Sequence, residues 1–390
     1  MNAARGAALA GLAGLLLFLP FGIAGQQISL GVGLLGVILF PPARARIRAL
    51  YGPGGVGRPL LAGVGFWIIA LLLALLLSGR MGDGARELRK LYLLGALVLP
   101  AGALGSERER RGAAFLLLLA LAAAATLGIA EQLRGGGHHP TRLDGPIGFY
   151  MTTAGVFLLL TVAAFALTLR RAPLGVLPAA AFLLGAAGVV LTYTRGAWFA
   201  LAAGGAFLLA RRHRKAVLPA ILLFGAVLFA LPGARERLLS SIDPAYESNR
   251  ERAWVWEAGV GAFRERPWTG RGLHDLRETL ESHRNPEARD RLTHFHSLYL
   301  QTAVSMGVPG LAALVALFVA VLASLRRAAA RAADDYGRAL AEGAIAATLA
   351  FLVHGLFEWN LGDSEVAMTL WALVGLGLAA VSGDRDGPPK

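Results

Sequence analysis

The chain has 390 residues, of which 56% are hydrophobic and only 16% charged, and its mean hydropathy is +0.57. Soluble domains carry about a quarter charged residues, so a soluble fold is excluded and residues 1–390 read as one membrane domain. The net charge of +13 comes from Arg and Lys scattered among short loops, which suits cytoplasmic loops over anionic lipid rather than nucleic-acid binding, and the absence of Cys excludes disulfide and thiolate chemistry.

About 20 apolar residues in a helix cross about 30 Å of hydrocarbon. In chain order, the apolar runs predict about twelve transmembrane helices, at 7–24, 27–40, 60–78, 91–104, 112–130, 151–169, 174–193, 197–210, 216–232, 298–322, 339–357 and 365–381, an all-α polytopic architecture. The first run follows a single Arg and resembles a signal peptide, but no small-x-small cleavage site follows, so it reads as an uncleaved span. Basic residues in short loops set orientation. They gather around Arg44–Arg58, Arg108–Arg111, Arg170–Arg171, Arg211–Lys215 and Arg326–Arg338, which predicts both termini in the cytoplasm. The loop at 79–90 breaks the rule, with four basic residues against two acidic on the opposite side.

That orientation puts Arg195, the polar segment 233–297 and Glu358 outside the cytoplasm, where nucleotide-activated substrates are absent. Arg195 stands alone between the seventh and eighth spans, in Thr194-Arg195-Gly196-Ala197-Trp198, as either an interfacial anchor or a site residue. Segment 233–297 holds eleven Arg, no Lys and eleven acidic residues. Within it, 250–266 reads as a helix with Trp256, Val260 and Phe263 as an inward apolar stripe, ended by Pro267. Arg252 falls on that stripe one turn before Trp256, where a guanidinium needs a partner or a ligand anion. In Trp268-Thr269-Gly270-Arg271-Gly272 the two glycines permit a turn whose exposed backbone N–H groups suit an anion, though a plain turn has the same pattern. The segment closes on His294-Phe295-His296-Ser297-Leu298-Tyr299-Leu300-Gln301, which places two of only eight His at a membrane edge. If extended, the pair shares a face and could hold a metal; if helical, it diverges. No set of residues has metal-ligand spacing, so no metal or cofactor is expected.

Three elements together resemble the O-antigen ligase and polymerase family of bacterial membrane glycosyltransferases. They are Thr194-Arg195-Gly196-Ala197-Trp198, Arg252-x-x-x-Trp256 with Pro267 and Gly270-x-Gly272, and His296-Ser297-Leu298-Tyr299-Leu300-Gln301 ending in Gly307-Val308-Pro309-Gly310. The similarity runs from about residue 170 to 325, with Ser297 where the family usually has Asn. The resemblance implies an inner-membrane enzyme with its active site in the periplasm. It implies transfer of a glycan from undecaprenyl pyrophosphate to an acceptor hydroxyl, without metal, inverting the anomeric carbon. His296, Arg195 and Arg252 are then catalytic. Arg250, His294, Arg271, Trp256, Tyr299 and Glu358 contact substrate. Lipid A-core oligosaccharide is the expected acceptor in lipopolysaccharide synthesis; a second lipid-linked glycan (a polymerase) or a protein hydroxyl are the alternatives. A transporter is the rival of a different class, but its ionisable residues belong near the bilayer midplane, whereas these crowd one edge.

Overall fold

A computed structural model describes residues 2–79, 81–139, 141–171, 174–273, 275–288, 293–332 and 334–381, so Arg289 and Arg291 of the arginine-rich segment lie outside the described residues. Among the described residues every regular element is helical. α1 (Asn2–Phe18) and α2 (Ile23–Leu39) form a hairpin, followed by α3 (Pro41–Tyr51) and α4 (Arg58–Leu77). A 3-10 stretch, Ala85–Leu94, leads to the short α5 (Gly95–Ala103), then α6 (Glu107–Leu133), α7 (Tyr150–Leu169), α8 (Leu177–Leu191), α9 (Arg195–Arg212) and α10 (Val217–Ala230). Beyond these come α11 (Pro232–Leu239), α12 (Glu247–Glu265), α13 (Arg277–Ser282), the long α14 (Leu298–Ala330), α15 (Asp335–His354) and α16 (Ser364–Leu378).

Six helices are long and apolar enough to cross a membrane: α4, α6, α7, α14, α15 and α16 with its last turn. The number rises to eight if two bent pairs each count once, α2 with α3 at 93° and α10 with α11 at 110°. Twelve is not reached by that measure. Residues 91–104 divide between a 3-10 stretch and a nine-residue helix, which at 1.5 Å per residue is far too short. The apolar helices at 3–18 and 177–191 are also short, and α9 carries Arg195 at one end and Arg211 and Arg212 at the other.

α7 is the hub, buried along most of its length and packed against α8, α9, α15 and α16. Close helix approach rests on small residues, as in membrane packing generally: a Cβ on Gly11 of α1 would lie 2.2 Å from the Gly33 nitrogen of α2. The bundle is polarised along α15. At its start, Glu342 takes a two-pronged ion pair from Arg170, with both N–O distances 2.8 Å, and Asp334 pairs with Arg110 at 2.7 Å. At its far end stand His354 and Glu358. The 20 residues between span about 30 Å, one hydrocarbon thickness.

Two features of segment 233–297 differ from the sequence reading. The inward face of α12 is Val255, Ala258, Gly259 and Ala262, packed on Phe295, Leu276 and Leu280, while Val260 is 39% exposed. Small residues turn inward because the neighbours come so close: a Cβ on Gly259 would lie 2.6 Å from Leu300. The predicted stripe, built on the largest apolar residues, was therefore misplaced by about one residue around the helix.

The second difference concerns the Gly270-Arg271-Gly272 turn. α14 is interrupted at Gly307, whose φ of 66° and ψ of −163° are not helical, and Pro309 follows without an N–H. The break frees the carbonyls of Val304 and Ser305 and the N–H of Val308, which need new partners. The turn supplies all three: Arg271 N–H donates to Val304 O (2.7 Å), Gly272 N–H to Ser305 O (2.9 Å), and Pro267 O accepts from Val308 N–H (2.7 Å). Its N–H groups are thus engaged by α14 rather than held open for an anion. Gly270 has φ +64°, and a Cβ there would lie 2.4 Å from Ser305 O. Gly270→Ala is expected to destabilise the protein by about 1 kcal/mol or more, read as a lowered thermal midpoint of the purified protein in lipid nanodiscs.

Candidate active site

The segment His294–Ser297 is a non-helical, bent stretch locked at both ends. Ser297 is the N-cap of α14, its hydroxyl accepting from Leu300 N–H at 3.4 Å. Asn is an equally good cap, so the departure from the family pattern preserves this role. Leu298 N–H donates to Gly355 O at 2.7 Å, and Phe295 N–H donates to the Gln301 side chain at 3.0 Å. Between these anchors His296 takes φ +45°, a left-handed conformation that His adopts more readily than most residues.

The constraint brings both imidazoles onto one carboxylate. His294 Nε2 lies 2.8 Å from Glu358 Oε1, and His296 Nδ1 lies 3.1 Å from Glu358 Oε2. The two rings are 4.1 Å apart between centroids, brought together by a bent, non-helical backbone. Burial disfavours a charge on Glu358, yet the hydrogen bonds from His294 and His296 outweigh it and hold the carboxyl well below its ordinary range. A carboxylate accepts only, so His296 donates from Nδ1 and its Nε2 carries the lone pair; no described residue bonds to that nitrogen. This is the arrangement in which an acid fixes the tautomer of a histidine base.

Beside this triad lies a cavity of 220 Å³ lined by Arg195, Ser241, Asn249, Arg252, Trp256 and Phe357, among others. Arg195 opens α9 and hydrogen-bonds only neutral groups: Ser240 Oγ (3.3 Å), Ser248 Oγ (2.9 Å) and Asn249 Oδ1 (2.6 Å). Gly196 beside it leaves room for Phe357, which a Cβ would meet at 2.9 Å. Trp198 is fully buried with its N–H on Val189 O at 3.2 Å, so it is no lipid anchor and Arg195 is held by packed structure. Arg252, on α12, has no hydrogen bond or ion pair to any described residue. Burial lowers its pKa and the nearby Glu358 charge raises it in part. Arg195 and Arg252 repel each other, and no described carboxylate pairs with either. Two guanidiniums facing a cavity, with no ion pair to a described carboxylate, have the chemistry that suits an anion.

Of the other predicted residues, Trp256 lines this cavity and His294 and Glu358 belong to the triad. Arg250 is exposed, its guanidinium over the Trp254 ring at 5.2 Å. Of the two, only Arg252, the one spaced a turn before Trp256, lines the cavity. Arg271 pairs with Glu265, and Tyr299 donates to Leu352 O at 2.9 Å; neither lines the cavity. The partners of Arg195 (Ser240, Ser248 and Asn249) carry no sequence signal, because isolated Ser and Asn are ordinary in polar loops. One atom each from His294, His296 and Glu358 lies within 4.8 Å of the others, a ligand set that a divalent cation could take.

An all-helical, membrane-embedded protein with an arginine cavity beside a His–Glu–His cluster is thereby defined. Residues 180–315, about a third of the chain, match the family model described as O-antigen ligase, and the match supports a place in that family. The family implies a multi-pass, glycosyltransferase-like enzyme acting on a lipid-linked glycan and an acceptor. No curated protein matches the chain significantly. The matched stretch contains Arg195, Arg252, His294 and His296, while Glu358 lies beyond it.

Because the Glu358 carboxyl is held below its ordinary value of 4.5, its contribution to stability is present above that pH and is lost as pH falls through the depressed value. Thermal melts at stepped pH are expected to show an acid-side fall that Glu358→Gln lacks. At neutral pH the same variant is expected to be less stable by about 1–3 kcal/mol, since an amide cannot accept from both imidazoles.

Proposed function

We propose that the protein moves a glycan from undecaprenyl pyrophosphate to a hydroxyl of lipid A-core oligosaccharide, as an inverting, metal-independent O-antigen ligase in the inner membrane. The observation that carries this reading is the pair of counter-ion-free arginines beside a histidine whose tautomer is fixed by a buried carboxylate. As the anomeric carbon–oxygen bond breaks, its electron pair passes to the pyrophosphate. Arg195 and Arg252 stabilise that charge, in the manner of preorganised donors aimed at a developing anion. The acceptor oxygen forms the new bond from the opposite face and gives its proton to His296 Nε2. Glu358 holds His296 in that tautomer and stabilises the imidazolium that results. The requirement is for a donor activated before it reaches the site, which suits a periplasmic location with both termini in the cytoplasm.

A polymerase, with a second lipid-linked glycan as acceptor, and a protein O-oligosaccharyltransferase use the same donor chemistry. They are separated by offering each acceptor to the purified enzyme. His296→Ala is expected to lower kcat by about 10²–10⁴-fold with undecaprenyl pyrophosphate binding retained; full activity would remove the base assignment. Arg252→Ala is expected to weaken donor binding, with Arg250→Ala as the matched control outside the cavity. Activity in the presence of a strong chelator is expected, and its loss with recovery on adding a divalent cation would assign His294, His296 and Glu358 to a metal instead. The chain has no Cys, so a single Cys at position 284 reports orientation cleanly. It is expected to react with impermeant reagent from the periplasmic side only.

A further inference from the structure

A second, larger void meets the same cluster. It measures 550 Å³ and lies among α4, the 3-10 stretch Ala85–Leu94, residues 273–277, α14 and α16. The two cavities share no lining residue, and the chain at 357–359 separates them. Phe357 lines the arginine cavity, Trp359 lines the larger one, and Glu358 between them holds both histidines. Trp359 is part of the contact: its backbone N–H donates to Glu358 Oε1 at 3.0 Å and its ring lies 5.9 Å from that of His294. Thr293, also on the wall, lies 3.1 Å from His294 Nδ1.

The cavity has two chemical ends. Toward the site end of the bundle it presents Glu87, Lys90, Asp275, Arg277 and Gln301 together with the Trp359 ring, over which Lys90 Nζ sits at 5.2 Å. Deeper along α4, α14 and α16 the wall is Val64, Trp67, Leu71, Leu317 and Trp371. A flat indole beside planar and charged side chains suits a sugar, whose ring stacks on the aromatic face while its hydroxyls take directed hydrogen bonds. The apolar depth has no use for a free sugar, but it does fit an alkyl chain. Of the basic residues in the loop at 79–90 that broke the charge rule, Lys90 is placed on the wall of this cavity.

We infer that this cavity is the acceptor subsite and takes a saccharide carrying a lipid anchor, head group at Lys90, Arg277 and Trp359, chain along α4 and α14. The inference rests on the glycosyl-transfer reading and deepens it. The acceptor hydroxyl arrives from the Trp359 side, the pyrophosphate leaves on the Phe357 side, and the proton passes to the histidine between them. A water-soluble protein acceptor does not use the apolar depth.

The test uses a maltoside with a diazirine in its alkyl chain, irradiated with the full-length protein in nanodiscs, and needs no turnover. Labelling is expected on peptides of α4 and α14, competed by unlabelled dodecyl maltoside but not by maltose. Leu71→Trp, which fills the deep end, is expected to cut labelling about tenfold while undecaprenyl pyrophosphate binding is unchanged. Where Leu71→Trp fails to fold, Lys90→Ala replaces it. In the transfer assay Lys90→Ala is expected to raise KM for a lipid-anchored acceptor about tenfold at little change in kcat. Labelling confined to the arginine cavity, equal competition by maltose, or an unchanged acceptor KM would overturn the assignment. An enzyme that transfers no glycan at all would instead overturn the proposed function, with the labelling result standing by itself.

Discussion

Everything at the reactive end hangs on one carboxylate. Glu358 is separated from His294 and His296 by more than sixty residues, and it comes from the short connection between two buried helices. A half-hidden negative charge is costly unless it is hydrogen-bonded, and here both oxygens are satisfied by rings on a stretch that is itself fixed by Ser297, Gln301 and Gly355. The rings could not converge on it if the segment were helical. The left-handed backbone at His296 and the N-cap at Ser297 are therefore parts of one device that stops α14 just short of the histidines.

The arginine cavity depends on the same economy of position. Arg195 reaches it from the start of α9, held by hydroxyl and amide oxygens instead of acids, and Arg252 reaches it from α12 with no ion pair to a described residue, only the more distant attraction of Glu358. Had either been paired to a carboxylate, as Arg170 and Arg110 are at the opposite end of the bundle, its charge would be spent on the fold. Arg170 and Arg110 are thus spent on ion pairs at one end, while Arg195 and Arg252 face the cavity at the other, about one membrane thickness apart.

Much of this was legible in sequence. Long apolar runs identify the membrane class and the six robust helices, because burial in lipid demands unbroken apolar length. The order of Arg195, Arg252 and His296 in short motifs picks out residues that the structure brings to one end of the bundle. Other features were not legible, for physical reasons. A span count from hydropathy fails where an apolar run is broken by Pro or a 3-10 turn, as at 91–104 and at Phe40–Pro41. The inward face of α12 was read about one residue off because, where neighbours press close, Val255, Ala258, Gly259 and Ala262 turn inward, leaving Phe263 at the edge of that cluster and Trp256 on the arginine cavity. Glu358 was expected to contact substrate rather than to hold the histidines, since nothing local says that two imidazoles lie against it. The glycines at 270 and 272 looked free to bind an anion because their true partners are carbonyls released by a helix break more than thirty residues away.

That last contact sets what can be exchanged between relatives. The polar segment is keyed into the interruption of α14 by three main-chain bonds, each end of which exists only because of the other. A chimaera that transplants residues 233–297 alone would arrive with donors lacking acceptors, and would leave a transmembrane helix with open carbonyls. The modular unit for recombination is the segment together with α14 through Gly310, and evolutionary drift in either half is expected to be tolerated only when the other follows.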